Sequence, residues 1–160
     1  MRLHYALNWR GPIYPNALWT FGIADETMDV YMFVEGERPT KNRRQWRYGD
    51  ILYIGKVYYQ DLNRRVRQHL SGPVGKWIDK NAEMPVVLKF AAIECMTTSR
   101  ISETQVGEIE NILISLEQPP ANIMHTKTYT GRDIAIENAG HYEPLFKHYE
   151  TQGDRIVRRN

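Results

Sequence analysis

The hydrophobic pattern predicts buried strands in the first part of the chain. Residues 29–34, Asp-Val-Tyr-Met-Phe-Val, contain a continuous apolar run, and residues 50–54, Asp-Ile-Leu-Tyr-Ile, contain a second one. A longer apolar run covers residues 86–94. Short runs rich in β-branched and aromatic residues are typical of strands that are buried on both faces. We expect the first two strands to pair, with residues 35–49 as their connection.

A helix is predicted to begin after Asp61, because aspartate is a favourable N-cap residue. Leu62, Val66 and Leu70 recur every four residues and therefore share one face, which would pack on the sheet. Ser71-Gly72-Pro73 is expected to end this helix.

A second helix is predicted over residues 103–117. Ser102 and Gln105 have the spacing of a capping box, and Pro119-Pro120 is expected to follow the end of the helix. The apolar face consists of Val106, Ile109, Leu113 and Leu116. Glu110 falls at the edge of this face, where a carboxylate is unfavourable unless a cation or hydrogen-bond donors receive it.

The pattern is less clear towards the ends of the chain. Residues 1–27 are rich in aromatic and turn-forming residues and predict no definite element, so we treat them as an N-terminal extension. Residues 28–150 would form the main domain, and residues 151–160 a basic, mobile C-terminal tail. Within the main domain, residues 133–137 predict a strand, 138–140 a turn and 144–150 a short helix.

Length and composition indicate one ordinary globular domain. The chain has 160 residues, of which 42% are hydrophobic and 25% charged. No apolar run approaches the roughly 20 residues that span a bilayer, and the N-terminus lacks a signal-peptide core, so we expect a cytoplasmic protein. A single cysteine, Cys95, excludes an internal disulfide and fits a structural thiol better than a nucleophile.

Positive charge is concentrated in one segment. Between Arg38 and Lys76 there are ten Lys or Arg residues but only two acidic ones, Asp50 and Asp61, although the whole chain carries only +2. A basic stretch in an otherwise acidic molecule predicts one surface that faces a polyanion, and solvated surface charge is the alternative. The candidate nucleic-acid contacts are Arg38, Lys41, Arg43, Arg44, Trp46, Arg47, Arg64 and Arg67.

The candidate chemistry lies where the second strand leads into the first helix. Tyr53 ends the strand, and Arg65 and His69, four residues apart, lie on one side of the helix beside its apolar stripe. Cations held rigidly beside groups that transfer protons suit phosphodiester chemistry, so a nuclease is the leading hypothesis.

In their order along the chain, these residues resemble the GIY-YIG nuclease superfamily over residues 29–122. Tyr53-Ile54-Gly55-Lys56 matches the second name-giving motif, and Tyr31 occupies the tyrosine position of the first. The helix carrying Glu110 and the loop carrying Asn122 resemble the metal-binding helix and loop asparagine of the family. The compact chain is most similar to stand-alone members, such as restriction-type and phage or mobile-element enzymes.

Three features depart from the usual family pattern. Asp29 stands in place of the usual glycine of the first motif. A basic insertion lengthens the connection between the two motif strands, and Val57-Tyr58-Tyr59-Gln60 separates the second motif from the helix. The spacing to His69 favours Arg65 over Arg64 as the family arginine.

The resemblance implies an α+β fold, with a small central antiparallel sheet flanked by helices, and a single-metal site that cuts DNA. Glu110 would bind Mg²⁺, for which Mn²⁺ would substitute, and Arg65 would bind the phosphate. Tyr31 would be the general base, with His69 as relay or rival, and Tyr53 would orient water or phosphate. Gly55, Lys56 and Asn122 would support the site.

Two other functions remain open. Trp46 and Tyr58 would stack on bases in a structure-selective or single-strand-selective nuclease. A catalytically silent nucleic-acid-binding module is the second alternative. Cutting both strands with one site per chain would require a homodimer or two successive nicks.

Overall fold

A computed structural model describes residues 2–17, 28–98, 100–123, 129–152 and 155–160 of the chain. Part of the predicted N-terminal extension (residues 1 and 18–27) and part of the predicted tail (residues 153–154) lie outside these ranges. The strands are β1 (Leu3–Ile13), β2 (Val30–Glu37), β3 (Arg47–Lys56), β4 (Val86–Cys95), β5 (Ile134–Gly140), β6 (His148–Gln152) and β7 (Arg155–Arg159). The helices are α1 (Leu62–Ser71), α2 (Pro73–Asn81) and α3 (Glu103–Glu117).

The strands form one mixed sheet of seven strands in the order β3-β2-β4-β1-β5-β6-β7. Neighbouring strands are antiparallel except β1 and β5, which run parallel. The predicted α+β class is confirmed. The sheet, which the resemblance implies to be small, central and antiparallel, has seven strands and one parallel pair. The first strand, which sequence patterns did not reveal, lies in the middle of the sheet, so residues 3–13 are integral to it.

Helices cover both faces of the sheet near β2. Val30, Met32 and Val34 pack in one cluster with Ile109 and Leu113 of α3. The intervening side chains of β2 point to the opposite face, because successive strand residues alternate between faces. Full burial of such a side chain contributes roughly 1.5–3 kcal/mol.

The opposite face is covered by α1 and α2. Tyr31 and Phe33 of β2 lie in a second cluster with Leu62 and Val66 of α1 and Ile78 of α2. The candidate tyrosine of β2 therefore faces the helix that carries the candidate arginine and histidine.

Local sequence signals account for α3. Its observed bounds are those predicted, Ser102 accepts a hydrogen bond from the Gln105 amide, and the Gln105 side chain completes the capping box. Gln118 ends the helix in a left-handed conformation with φ 48°. Local signals thus define both ends of the helix that carries Glu110.

The bounds of α1 also agree with the prediction, whereas α2 was missed. Asp61 caps α1 through a hydrogen bond from the Arg64 amide. Pro73 is a helix breaker in the sequence pattern, but here it lies in the first turn of α2. Proline is well tolerated there because the first-turn amides have no partner within the helix.

Of the predicted elements near the C-terminus, the strand at 133–137 is confirmed as part of β5, whereas the turn and the short helix are wrong. Residues 138–140, expected as a turn, continue β5, and the end of the expected helix at 144–150 belongs to strand β6. The expected mobile tail contains β7, which pairs with β6. These segments acquire strand structure from pairing with distant residues, which local periodicity does not register.

The connection between β2 and β3 is shorter than predicted because both strands extend further. The loop covers residues 38–46, so Arg47 belongs to β3. Among the described residues, no helix has the length and apolarity needed to cross a membrane.

Candidate functional site

The paired strands β2 and β3 bring Tyr31 and Tyr53 together. Tyr31 lies opposite Gly55 in the strand register, and its ring centroid is 6.1 Å from that of Tyr53. A Cβ atom on Gly55 would lie 2.7 Å from the Tyr31 hydroxyl and 2.8 Å from Cε1 of Tyr53. The two rings can therefore converge only because residue 55 has no side chain.

Helix α1 places His69 against both tyrosines. Its ring centroid lies 4.9 Å from that of Tyr53 and 6.1 Å from that of Tyr31. Arg65, one turn earlier, is partly buried, and its positive charge acts on both tyrosines and on His69. Arg64 is exposed. The helix therefore directs Arg65, and not Arg64, towards the tyrosines.

Glu110 reaches the same place from α3. Burial raises the pKa of its carboxyl to about 7, although the charge and backbone amide of Lys56 and the charge of Arg65 act in the opposite direction. The Glu110 charge also contributes to the raised pKa values of Tyr31 and Tyr53, which result mainly from burial. A carboxylate that burial disfavours is well suited to gain a cation.

Three polar atoms in this cluster are buried without a hydrogen-bond partner in the described part of the chain. They are the Tyr31 hydroxyl, the Nε of Arg65 and the Nε2 of His69. The Tyr31 and Tyr53 hydroxyls act on each other's pKa, but Tyr31 makes no hydrogen bond of normal geometry. Buried polar groups are almost always paired, so such a concentration indicates that a ligand completes the site.

The protonation states of His69 and Tyr31 differ in a useful way. Burial, together with the charge of Arg65, lowers the pKa of His69 to about 4, so the imidazole is neutral at pH 7. Burial raises the pKa of Tyr31 well above its usual value, so its hydroxyl keeps the proton. In the free protein His69 can accept a proton, and Tyr31 can donate one.

Asn122 holds the loop after α3 against β3. Its Oδ1 accepts a hydrogen bond from the Ile54 amide at 2.9 Å, and its Nδ2 donates to the Ile54 carbonyl at 2.8 Å. The Ala121 amide also donates to the Leu52 carbonyl at 3.0 Å. These bonds pair the exposed edge of β3 and fix the strand that carries Tyr53.

Asp29, which stands where the resemblance predicts a glycine, makes two hydrogen bonds that join strands of the sheet. Its Oδ2 accepts a hydrogen bond from the Ile93 amide at 2.7 Å, and its carbonyl accepts one from the Val57 amide at 2.7 Å. Burial raises the pKa of this carboxyl. The aspartate therefore joins the start of β2 to β4 and to the end of β3.

The basic loop is divided between structural and exposed side chains. Arg43 donates to the carbonyls of Arg38 and Gln45 at 2.9 and 3.1 Å. Glu37 pairs with Arg47 at 2.9 Å and with Arg43 at 3.5 Å. Three other basic side chains of the loop are exposed, namely Arg38, Lys41 and Arg44. The two predicted nucleic-acid contacts on α1, Arg64 and Arg67, are also exposed.

Trp46 is not a free stacking surface. Its ring lies parallel to Tyr48 within 6°, at 6.3 Å between centroids, and it also contacts Tyr14. The ring is partly buried against the core. It therefore anchors the basic loop to the sheet.

The site offers a single carboxylate for a metal ion. Within the described ranges, no group of three or more His, Cys, Asp or Glu side chains is arranged to hold a metal. Mg²⁺ commonly uses one or two carboxylates, with water and substrate phosphate filling its other positions. Glu110 beside Arg65 fits that mode of binding.

Sequence reasoning missed two features. Lys89 is fully buried, donates to the Glu143 carbonyl and lies 3.9 Å from the centroid of the Tyr48 ring. A lysine inside an otherwise apolar strand was the available signal. Tyr59, with 91% of its surface exposed, lies between β3 and α1. The sequence analysis predicts its neighbour Tyr58, and not Tyr59, as a residue that stacks on bases.

No family model matches this chain, and no curated protein or solved structure matches it either.

Proposed function

We propose that this protein is a divalent-metal-dependent DNA endonuclease with a GIY-YIG-type site. The observation that carries the proposal is the convergence of unpaired buried polar atoms of Tyr31, Arg65 and His69 beside Glu110, whose carboxyl has a raised pKa. A phosphodiester with a bound cation would supply the missing partners of this cluster.

Each side chain has a role that follows from its charge. Glu110 would hold Mg²⁺, which supplies positive charge at the phosphate and the leaving oxygen. Arg65 would donate to nonbridging phosphate oxygens. Among the described residues its Nε has no hydrogen-bond partner, so the fold does not use this donor.

The proton would leave the attacking water through His69 or Tyr31. The imidazole of His69 is neutral at pH 7 and its Nε2 has no partner among the described residues, so it carries no proton that would block this role, although its lowered pKa makes it a weak base. Tyr31 is the family-like base, but its raised pKa means that it would accept a proton from water only as it passes its own proton to another base. We therefore propose that Tyr31 relays the proton towards His69, with Tyr53 orienting the water or phosphate.

The exposed basic side chains would position DNA beside the site. Arg38, Lys41 and Arg44 lie on the loop between β2 and β3, at the end of this strand pair opposite to Tyr31 and Gly55. Because this distance is roughly 20 Å along the strands, they would hold the part of the DNA that extends away from the site. Phosphate contacts of this kind orient a duplex without reading its sequence.

The test is cleavage of supercoiled plasmid by the wild-type protein with Mg²⁺, with EDTA, and by the Glu110→Ala protein. We expect nicking or linearisation that requires Mg²⁺ and falls at least 100-fold in the variant, since loss of one electrostatic stabiliser typically costs that much. Glu94→Ala, which removes an exposed carboxylate of β4, is the matched control and should cleave normally.

A protein that binds DNA but cuts no duplex, single-stranded or branched substrate with Mg²⁺ or Mn²⁺ would overturn the nuclease proposal. It would then be a nucleic-acid-binding module. Equal cleavage by Glu110→Ala and wild type would instead remove Glu110 from the metal site.

A further inference from the structure

Tyr59, which is exposed, and Tyr58, which is partly buried, form an aromatic pair beside the candidate site. Their ring centroids are 4.2 Å apart with an interplanar angle of 68°, and their hydroxyls are 3.5 Å apart. Tyr59 has 91% of its surface exposed. Most other tyrosines of the described chain are buried or partly buried, so this exposure is a local exception.

The backbone holds Tyr59 in an unfavourable conformation. Its φ is 55°, in the left-handed region that L side chains rarely adopt and that glycine or asparagine occupies more readily. The ring gains little from burial in return. A bulky residue that is strained and exposed at once is better explained by a role in binding than by stability.

The turn that carries the pair is fixed on both sides. Val57 is buried, and its amide donates to the Asp29 carbonyl at 2.7 Å. On the other side, the Asp61 side chain caps α1. The aromatic faces are therefore presented from a defined position between β3 and α1.

This position lies close to the catalytic carboxylate proposed above. The Tyr58 hydroxyl is near the backbone and carboxylate of Glu103, and the Nζ of Lys56 is 3.9 Å from the Glu103 carboxylate. Glu103 and Glu110 are seven residues apart on α3, about 10 Å along the helix axis. The tyrosine pair is thus within one or two nucleotides of the phosphate that Glu110 would serve.

We propose that Tyr59, supported by Tyr58, stacks on an unpaired base next to the scissile phosphate. This inference rests on the proposed function and specifies its substrate class, which is single-stranded or locally unpaired DNA. Every base has a π face, so stacking of this kind tolerates any sequence. In an intact duplex the base faces are already stacked on their neighbours and are not available to Tyr59.

The first test is binding of a labelled single-stranded oligonucleotide in EDTA, where cleavage cannot occur, at fixed salt. Tyr59→Leu keeps the apolar character of the side chain but removes its aromatic face. We expect it to weaken binding roughly 5- to 100-fold, while Tyr59→Trp binds at least as tightly as wild type. Met96→Ala, at another exposed hydrophobic residue, should have no effect.

Salt dependence and substrate structure sharpen the test. The Tyr59→Leu change should leave the salt dependence of binding unaltered, because it removes no phosphate contact. In a duplex with one unpaired nucleotide beside the cut, replacing that nucleotide by an abasic one should remove the difference between wild type and Tyr59→Leu. A persisting difference would overturn stacking on that base.

Tyr59→Gly provides a separate readout. It should raise the melting temperature, since glycine adopts the left-handed conformation without strain, and it should bind DNA as weakly as Tyr59→Leu. A Gly variant that binds like wild type would overturn the proposal.

The two proposals fail in distinguishable ways. If wild type cleaves with Mg²⁺ but Tyr59→Leu binds and cleaves normally, stacking fails and the nuclease stands. If no substrate is cleaved but Tyr59→Leu still weakens binding, stacking stands and the hydrolase fails.

Discussion

Two carboxylates, one near each end of β3, differ in how the surrounding residues bind them. Near its start, buried Glu35 accepts hydrogen bonds from the backbone amides of Glu83 at 2.6 Å and of Asp50 and Met84 at 3.3 Å. Near its end, Glu110 lies beside Lys56, and burial raises its pKa. The first carboxylate is held by three backbone amides, whereas burial disfavours the charge of the second, which lies beside polar atoms of Tyr31, Arg65 and His69 that have no partner among the described residues.

The glycines of β3 repeat this contrast. A Cβ on Gly49 would lie 2.6 Å from the Glu35 carboxylate, and a Cβ on Gly55 would lie 2.7 Å from the Tyr31 hydroxyl. Both glycines permit a close approach, but only the first approach ends in a completed hydrogen-bond network. Unpaired groups are therefore not a general property of this sheet, and their concentration around Glu110 indicates a place for a ligand.

The largest expected effect is at the satisfied end. Glu35→Ala would leave three partly buried backbone amides without their acceptor. Each lost bond of this kind costs about 1 kcal/mol, so we expect a loss of about 3 kcal/mol in the free energy of unfolding. Urea denaturation measures it. Glu35→Gln, which keeps one acceptor oxygen, should recover part of the loss.

A Glu35→Ala protein as stable as wild type would break the comparison, because the hydrogen bonds at this end would then have no structural value. A loss in stability with unchanged plasmid cleavage at low temperature would sharpen it, since the effect would be confined to the fold.

The second expected effect is at Gly55. Gly55→Ala must displace the Tyr31 ring, so we expect a loss of about 2 kcal/mol from overpacking together with a large loss of cleavage. Gly36→Ala is the matched control at the other end of the strand pair, where the new Cβ would meet a methyl group of Val87 at 2.9 Å. It should cost stability but leave cleavage intact when measured on folded protein.

Equal cleavage by the two alanine variants would show that the position of the Tyr31 ring is immaterial to activity. The role proposed for that tyrosine would then be wrong.

Some parts of this contrast were accessible from the sequence and others were not. The bounds of α3 followed from the capping box at Ser102 and from Pro119-Pro120, because both are local signals. The partners of Glu35 lie 15, 48 and 49 residues away in the chain, so no local pattern identifies them.

The same distinction explains the errors near the C-terminus. In β6, buried Tyr149 and Thr151 alternate with less buried residues, as in a strand. The predicted helix at 144–150 depended on apolar residues that precede this strand. Pairing with β5 and β7 makes this segment a strand, and that pairing depends on residues outside the segment itself. For α2, the sequence pattern predicts the end of a helix at Pro73, whereas this proline lies in the first turn of the next helix.

The sequence predicts those parts of the candidate site that depend on helix and strand periodicity. The stripe of Leu62 and Val66 fixes which side of α1 faces the sheet, and this places Arg65 and His69 beside the tyrosines. The lack of partners at these side chains was not accessible, because it depends on every other group that surrounds them.

The smallest expected effect is a gain in stability when Glu110 is replaced by a side chain that cannot ionise. In the metal-free protein Glu110 keeps its proton up to about pH 7, whereas the unfolded chain loses it near the ordinary value of 4.5. Its contribution to stability is therefore complete below pH 4.5 and is lost as the pH rises through 7. Glu110→Gln, which cannot ionise, should be more stable than wild type by about 1 kcal/mol at pH 8 in EDTA, after allowance for solvent screening of a partly exposed group.

The melting temperatures of the two proteins at pH 4.5 and pH 8 test this expectation, with Glu94→Gln, at an exposed position of β4, as the matched control. The difference should be near zero at pH 4.5, where both side chains are neutral, and should appear as the pH rises. Added Mg²⁺ should stabilise wild type and not Glu110→Gln, because a ligand that binds only the folded state raises its stability. A Gln variant less stable than wild type at pH 8 would mean that Lys56 and Arg65 already satisfy the carboxylate, and the two ends of β3 would then be alike.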